Sequence, residues 1–415
     1  MPDADLMSRS TLGSLRWFWF QLHLWLGVAL SLVLIPVCLS GSYLVWRDEF
    51  DHLLHTERYA VTDPAVKLAP SAYLSAAQAA FGDRATVASL RLPEAAGGPV
   101  TVSGPIGPPA RVAPRGESRQ GGGRGPGGEG ARVDGPPPRN LGNLTAWVDP
   151  GTGRVLSVAN PRSGVMIFMH DLHGHIFITG GLGRKLVGWL GWAMLISCLT
   201  GIWLWWPKNG KVSKGFRWNR DPSTLMNLHY LTGLWIAIPL AILSLTGALI
   251  SFPQTTRAIV GAFQPLSQQQ QRGPPRGPNR PLATPQLQAD AVLAKARGVQ
   301  SGDLRNLMLP TRAQPVWRVE IAPPTGRHVQ LTVEDETGAV ERAPPPKATP
   351  AGDQTVRFNR RLHDGIGFPM LWRILITIGG VIPALLGVTG TIVWAQRQLR
   401  KAGMRRRFGE PVAAE

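Results

Sequence analysis

Four apolar runs, at 17–46, 186–206, 228–252 and 374–395, constrain this chain more than any other feature. Each is about 20 residues or longer, enough at 1.5 Å per residue to cross a hydrocarbon layer of about 30 Å. The runs are almost free of charge, and their ends carry tryptophan and basic residues: Trp17 and Trp19; Trp203, Trp205, Trp206 and Lys208; Trp372, Arg373, Trp394 and Arg397. Amphipathic rings and long cations of this kind collect where a membrane meets water. Four core helices of a soluble domain would need neither the length nor the belts. The first run is too long for a cleaved signal and contains Pro36, so it reads as an uncleaved first helix.

The net charge of +18 raises the question of a nucleic-acid partner, but the location of the charge answers it. The 207–220 loop holds Lys208, Lys211, Lys214, Arg217 and Arg220, and the tail holds Arg397, Arg400, Lys401, Arg405, Arg406 and Arg407. The positive-inside rule puts these segments and both termini in the cytoplasm, with anionic lipid as their partner and no nucleic acid. The long loops, 47–183 and 253–369, then lie outside. The two cysteines, Cys38 and Cys198, fall inside apolar runs, which leaves no disulfide or zinc framework.

The chain repeats. Leu22-His23 with Gly27 matches Leu228-His229 with Gly233, and Gly41 and Gly247 each follow their histidine by 18 residues in Ser40-Gly41 and Thr246-Gly247. Leu172-His173 matches Leu362-His363, followed by Arg184 and Arg373, then by Thr200-Gly201 and Thr389-Gly390. The four Ser/Thr-Gly pairs read as packing residues, because small side chains let helices approach closely in lipid. The outer loops repeat as well. Each opens on a helical stretch, Ser71–Gly82 or Pro285–Gly298. Each closes on strands around glycine turns, Thr145–Val158 or Val316–Glu341. The Gly-, Pro- and Arg-dominated stretch 103–140 lacks the apolar residues to build a core and reads as disordered. The expected architecture is an all-α bundle of four transmembrane helices in two repeated pairs (17–46, 184–206, 226–252 and 370–396), with two small α+β modules outside.

Of nine histidines, His23, His229, His173 and His363 carry the signal. An ionisable side chain in or beside a membrane helix is costly and marks a functional position. Topology pairs His23 with His229 near the cytoplasmic side and His173 with His363 near the outer side. Two histidines from facing helices can ligate a haem iron from both faces, and Gly27 and Gly233 would leave room for a flat porphyrin. Two such pairs would hold two haem b, since no CxxCH is present for covalent attachment. Zinc fits less well, because it asks for three or four ligands. The alternative is that the histidines hydrogen-bond between helices. His170 and His175 compete with His173 as outer ligands. Arg184 and Arg373 are candidates for propionate partners or plain interface anchors. His52, His55 and His328 read as surface residues. No nucleotide fingerprint, Ser/His/Asp order or HExxH occurs.

The Leu-His starts, the Ser/Thr-Gly ends, the Trp205-Trp206-Pro207-Lys208 exit and the helix-plus-sheet loops resemble the PepSY-associated transmembrane helix family of bacteria over residues 15–400. The resemblance implies an iron-regulated inner-membrane protein similar to ferric-siderophore reductases. Such a protein moves electrons through two haem b to a ferric chelate outside the membrane, supplied by quinol or a cytoplasmic flavoprotein. The outer loops would then form the docking surface. PepSY-like domains elsewhere resemble protease-propeptide inhibitors, so the competing reading is a membrane-anchored regulatory module. Transport of haem or chelate fits less well, because no broken-helix pair surrounds a central polar site.

Overall fold

The computed structural model describes residues 3–94, 97–107, 142–161, 163–207, 211–218, 221–267, 280–344 and 348–408. In chain order the helices are α1 (Asp3–Val45), α2 (Arg47–Leu54), α3 (Pro70–Phe81), α4 (Gly164–His175), α5 (Leu182–Trp205), α6 (Thr224–Ser251), α7 (Pro253–Gly261), α8 (Ala289–Val299), α9 (Ala351–Asp364) and α10 (Met370–Phe408). The strands are β1 (Ser89–Arg91), β2 (Val100–Pro105), β3 (Asn143–Val148), β4 (Val155–Ala159), β5 (Asp303–Met308), β6 (Val316–Ala322), β7 (Val329–Glu334) and β8 (Val340–Arg342). The chain divides into a helical unit (1–47, 164–268 and 348–415) and a sheet unit (48–163 and 269–347).

Four helices of the helical unit, over Ser14–Val45, Leu182–Trp205, Thr224–Ser251 and Met370–Met404, are long and apolar enough to cross a membrane. α1 packs on α5 and α10, and α6 packs on the same two helices, so α1 and α6 stand on the diagonal of a four-helix bundle. Small residues set the crossings, as expected where lipid-soluble helices must gain energy from close packing. A Cβ on Gly380 of α10 would lie 2.5 Å from the Cys38 carbonyl of α1, and one on Gly188 of α5 would lie 2.7 Å from Ser251 Cβ of α6. Ser42 of α1 also donates its hydroxyl to the Thr377 carbonyl of α10 at 3.0 Å.

The segments just before the second and fourth spans do not enter the membrane helices directly. They form the separate short helices α4 and α9, ended by turns at Gly180-Gly181 and Gly365-Gly367, where positive φ values demand glycine. His173 and His363 therefore sit on α4 and α9 and not on the spans that follow. α4 packs on α1 and α5, and α9 packs on α6 and α7.

The two outer modules are not separate sheets. They join edge to edge through antiparallel β1 and β5, with Leu90 opposite Leu307, into one eight-stranded sheet ordered β4-β3-β2-β1-β5-β6-β7-β8. The join removes two open strand edges that isolated modules would expose. It was invisible in the turn pattern, because β1 is only three residues long and lacks a clear alternation. Strand β2 extends to Pro105, so residues 103–105 are ordered, while 108–141 of the glycine-rich stretch lie outside the described residues. α3 and α8 cover a core that includes Tyr73, Phe81, Leu90, Val292, Leu307 and Trp317.

A buried aspartate closes each half of this sheet. Asp149, after β3, accepts from the Thr62 amide at 2.7 Å and the Thr62 hydroxyl at 2.5 Å. Burial pushes its carboxyl up, but these bonds and those from Thr152 and Gly151 outweigh it and hold it well below the ordinary range. Asp335, after β7, accepts from the Gln286 and Leu287 amides at 2.9 and 3.1 Å and from the Trp317 indole at 2.8 Å. Each carboxylate thus ties the chain that leads into a covering helix back to a hairpin. Asp335→Ala strands three donors, each worth about 1 kcal/mol or more when buried. It is expected to destabilise the sheet unit by roughly 3 kcal/mol, seen as faster amide exchange in β6 and β7 with exchange in α5 and α6 unchanged.

Candidate functional site

The expected histidine pairs meet. The ring centroids of His23 and His229 lie 6.3 Å apart, and those of His173 and His363 lie 6.0 Å apart. His23 and His229 come from the two diagonal helices, α1 and α6. The outer pair comes from α4 and α9. His170 and His175 do not join it: their rings face each other at 6.3 Å, next to Asp171.

The Ser/Thr-Gly pairs correct their reading as packing residues alone. Three of them cradle one of these imidazoles. His23 Nδ1 lies 3.1 Å from both the Ser197 carbonyl and Thr200 Oγ1 of α5, and a Cβ on Gly201 would lie 3.1 Å from the ring. His173 Nδ1 lies 2.8 Å from the Val37 carbonyl of α1, and a Cβ on Gly41 would lie 2.7 Å from the ring. His363 Nδ1 lies 3.0 Å from Thr246 Oγ1 of α6, and a Cβ on Gly247 would lie 2.8 Å from the ring. In each case the hydroxyl or carbonyl engages Nδ1 while glycine clears space for the ring. At His23 and His173 a carbonyl partner makes Nδ1 the donor, and at His363 the Thr246 hydroxyl, itself placed to donate to the Ile242 carbonyl at 2.8 Å, can accept from Nδ1; Nε2 then keeps a lone pair to offer elsewhere. Sequence signals for this were present in the 18-residue spacing, but the partner of each glycine lies on another helix more than a hundred residues away.

The fourth histidine differs. Among the described residues His229 Nδ1 is buried without a hydrogen-bond partner, and the fourth pair, Thr389-Gly390, has nothing within 4 Å of a Cβ built on Gly390. Gly27 and Gly233, one turn beyond His23 and His229, likewise face open space: a Cβ on either meets no atom within 4 Å. A buried polar atom without a partner calls for an explanation, and a bound water, ion or ligand is one.

Arg184 and Arg373 act as helix anchors. Arg184 donates to the Ile250 carbonyl at 2.8 Å, near the end of α6, and Arg373 donates to the Val45 carbonyl at 2.7 Å, at the end of α1. Arg373 also stacks over the Trp46 ring at 4.3 Å. At the opposite end, Arg16 donates to the Leu204 carbonyl of α5 at 2.6 Å. A cation at the last carbonyls satisfies groups that have no partner within the helix and complements the negative end of its dipole.

α9 is set on α6 by Asn359, which donates to the Thr246 carbonyl at 3.3 Å, and by a clamp at its first turn. There Asp353 accepts from the Ser267 amide at 2.7 Å and from Arg257 of α7 at 2.7 Å. Hydrogen bonds from Ser267, then from Arg257, hold the Asp353 carboxyl down at about 2. A carboxyl lowered on folding stabilises the fold above its ordinary range, and that stabilisation is lost as pH falls through the lowered value. Exchange protection of α9 is expected to hold above about pH 4 and to decline toward pH 2. Asp353→Asn should give a profile that is flatter across this window, and an unchanged slope would remove Asp353 from the clamp.

Four apolar helices and their bundle define a multi-pass helical membrane protein. The family model for the PepSY-associated TM region matches residues 20–397, nearly the whole chain, and the protein belongs to that family. No curated protein matches the chain.

Proposed function

We propose that this protein is a di-haem b electron-transfer protein of the bacterial inner membrane. It would carry electrons outward to reduce ferric chelates such as ferric siderophores, with N- and C-termini in the cytoplasm. The observation that carries the reading is the spacing of the two histidine pairs. Two imidazole nitrogens bonded to one metal ion at about 2 Å each put their ring centroids roughly 6 Å apart, which is the separation of both pairs. The donor set fits as well: two imidazoles per site, no third His, Cys, Asp or Glu ligand beside them among the described residues, and glycines facing open space one turn beyond His23 and His229.

His23 and His229 would hold one haem and His173 and His363 the other, each haem supplying a one-electron iron couple when bound. The residues of the chain do the rest. Ser197 and Thr200 at His23, Val37 at His173 and Thr246 at His363 would hold Nδ1 and leave Nε2 as the free nitrogen. The apolar spans that carry His23 and His229 would shield that pair from bulk water, which strengthens charge interactions there. The basic cytoplasmic segments set the direction, with a quinol or a cytoplasmic flavoprotein as donor. Resemblance to ferric-siderophore reductases points to the acceptor. Reduction of Fe(III) to Fe(II) would weaken its hold on hard-oxygen chelators.

The test is a reduced-minus-oxidised spectrum of the purified protein with pyridine haemochrome quantification. Wild type should hold two b haems per chain. His229→Ala and His363→Ala should each hold one, and the double variant none. Protein expressed with ample haem that contains none would reject the reading. A milder probe is Gly41→Val, whose side chain displaces the His173 ring from the Val37 carbonyl. It should shift the spectrum and potential of one haem while leaving the other unchanged.

A further inference from the structure

The turn of α4 just before the outer histidine pair carries a second constellation that the haem reading does not use. His170, Asp171 and His175 bring one ligand atom each to within 4.8 Å of one another. His175 Nε2 lies 3.1 Å from Asp171 Oδ1, and His170 Nδ1 lies 3.6 Å from the same oxygen. Asp171 and His175 are one helical turn apart and share a face. His170 would point away on a straight helix, yet its ring turns to meet that of His175.

The backbone around His175 is built to hold this arrangement. Ile176 and Phe177 both adopt left-handed conformations, with φ of 51° and 58°. A β-branched residue there is a rare and costly choice that persists only where its surroundings impose it. The Phe177 amide returns to the Asp171 carbonyl at 3.3 Å, and the Phe177 ring packs on Phe168 at 5.0 Å. At the start of α5, Gly183 comes so close that a Cβ on it would lie 2.0 Å from the His175 carbonyl. Among the described residues the His175 Nδ1 is buried without a hydrogen-bond partner. An ordinary surface His–Asp pair needs none of these constraints.

We propose that His170, Asp171 and His175 form a site for a divalent first-row transition-metal ion. Two imidazoles and one carboxylate are the donor set that binds ferrous iron and its neighbours while leaving coordination positions open. His170 is 59% exposed and the other two are about one-third exposed, so water or a small chelate can fill those positions from solution. His170 precedes His173 by three residues, about 4.5 Å along the helix. Resting on the reductase reading, the ion bound there is Fe2+ that has already been reduced and released by its chelator. The site binds it and carries out no redox step of its own.

The experiment is equilibrium dialysis of the full, untagged protein against Zn2+ and, separately, Co2+, with bound metal counted by elemental analysis. These ions keep the count clear of haem iron. One ion per chain is expected in wild type. His170→Ala should weaken binding at least tenfold, and His170→Ala with Asp171→Asn should abolish it, with haem content the same as in wild type. Haem content guards against misfolding and separates the two readings. Metal binding without haem would sustain this site and sink the di-haem proposal. Haem without metal, or metal binding unaffected by the double substitution, would overturn this site and leave a plain His–Asp ion pair.

Discussion

The helical unit depends on a notch cut in one helix for the imidazole of another. A glycine removes the side chain that would fill the notch, and the hydroxyl or a carbonyl beside it engages Nδ1. The arrangement follows from two constraints of a low-dielectric interior. Burying an imidazole without a hydrogen-bond partner is costly, and a helix of fully bonded backbone has few partners to offer except at serine, threonine and bifurcated carbonyls. Placing the partner beside a glycine lets the ring lie flat against the helix. The pairing also orders the bundle, because each notch fixes which helix or short segment lies against which.

A second set of contacts fixes depth. Arg16, Arg184 and Arg373 each reach from one membrane helix to the terminal carbonyls of a neighbour. Such contacts join a helix near its start to an antiparallel partner at its end, so they resist sliding along the axis. A slide of one turn, about 5.4 Å, would carry an imidazole past its glycine. Notch and anchor thus constrain separate directions of motion, and both are needed to hold two rings at a fixed distance.

The repeat made much of this readable in advance. The four spans, the four histidines and their pairing by topology were all visible, as were the covering helices and hairpins of the outer loops. What escaped was every feature created by contact between distant segments. Ser40-Gly41 reads as packing until His173, 132 residues on, lies against it. β1 is too short to announce itself, and it exists because β2 and β5 flank it. His170 and His175 read as rivals of His173 because spacing alone cannot say that their rings meet each other beside Asp171 and not the ring of His363.

The sequence by itself determined the class of protein. Twenty-residue apolar runs have one stable environment, so local chemistry suffices. The tertiary structure decided which atoms face which. It chose the Nδ1 partner of His23, His173 and His363, left His229 Nδ1 without one among the described residues, and merged two modules into one sheet. Those choices depend on distances between residues far apart in the chain. They are set by the packing of whole helices, which no window of sequence contains.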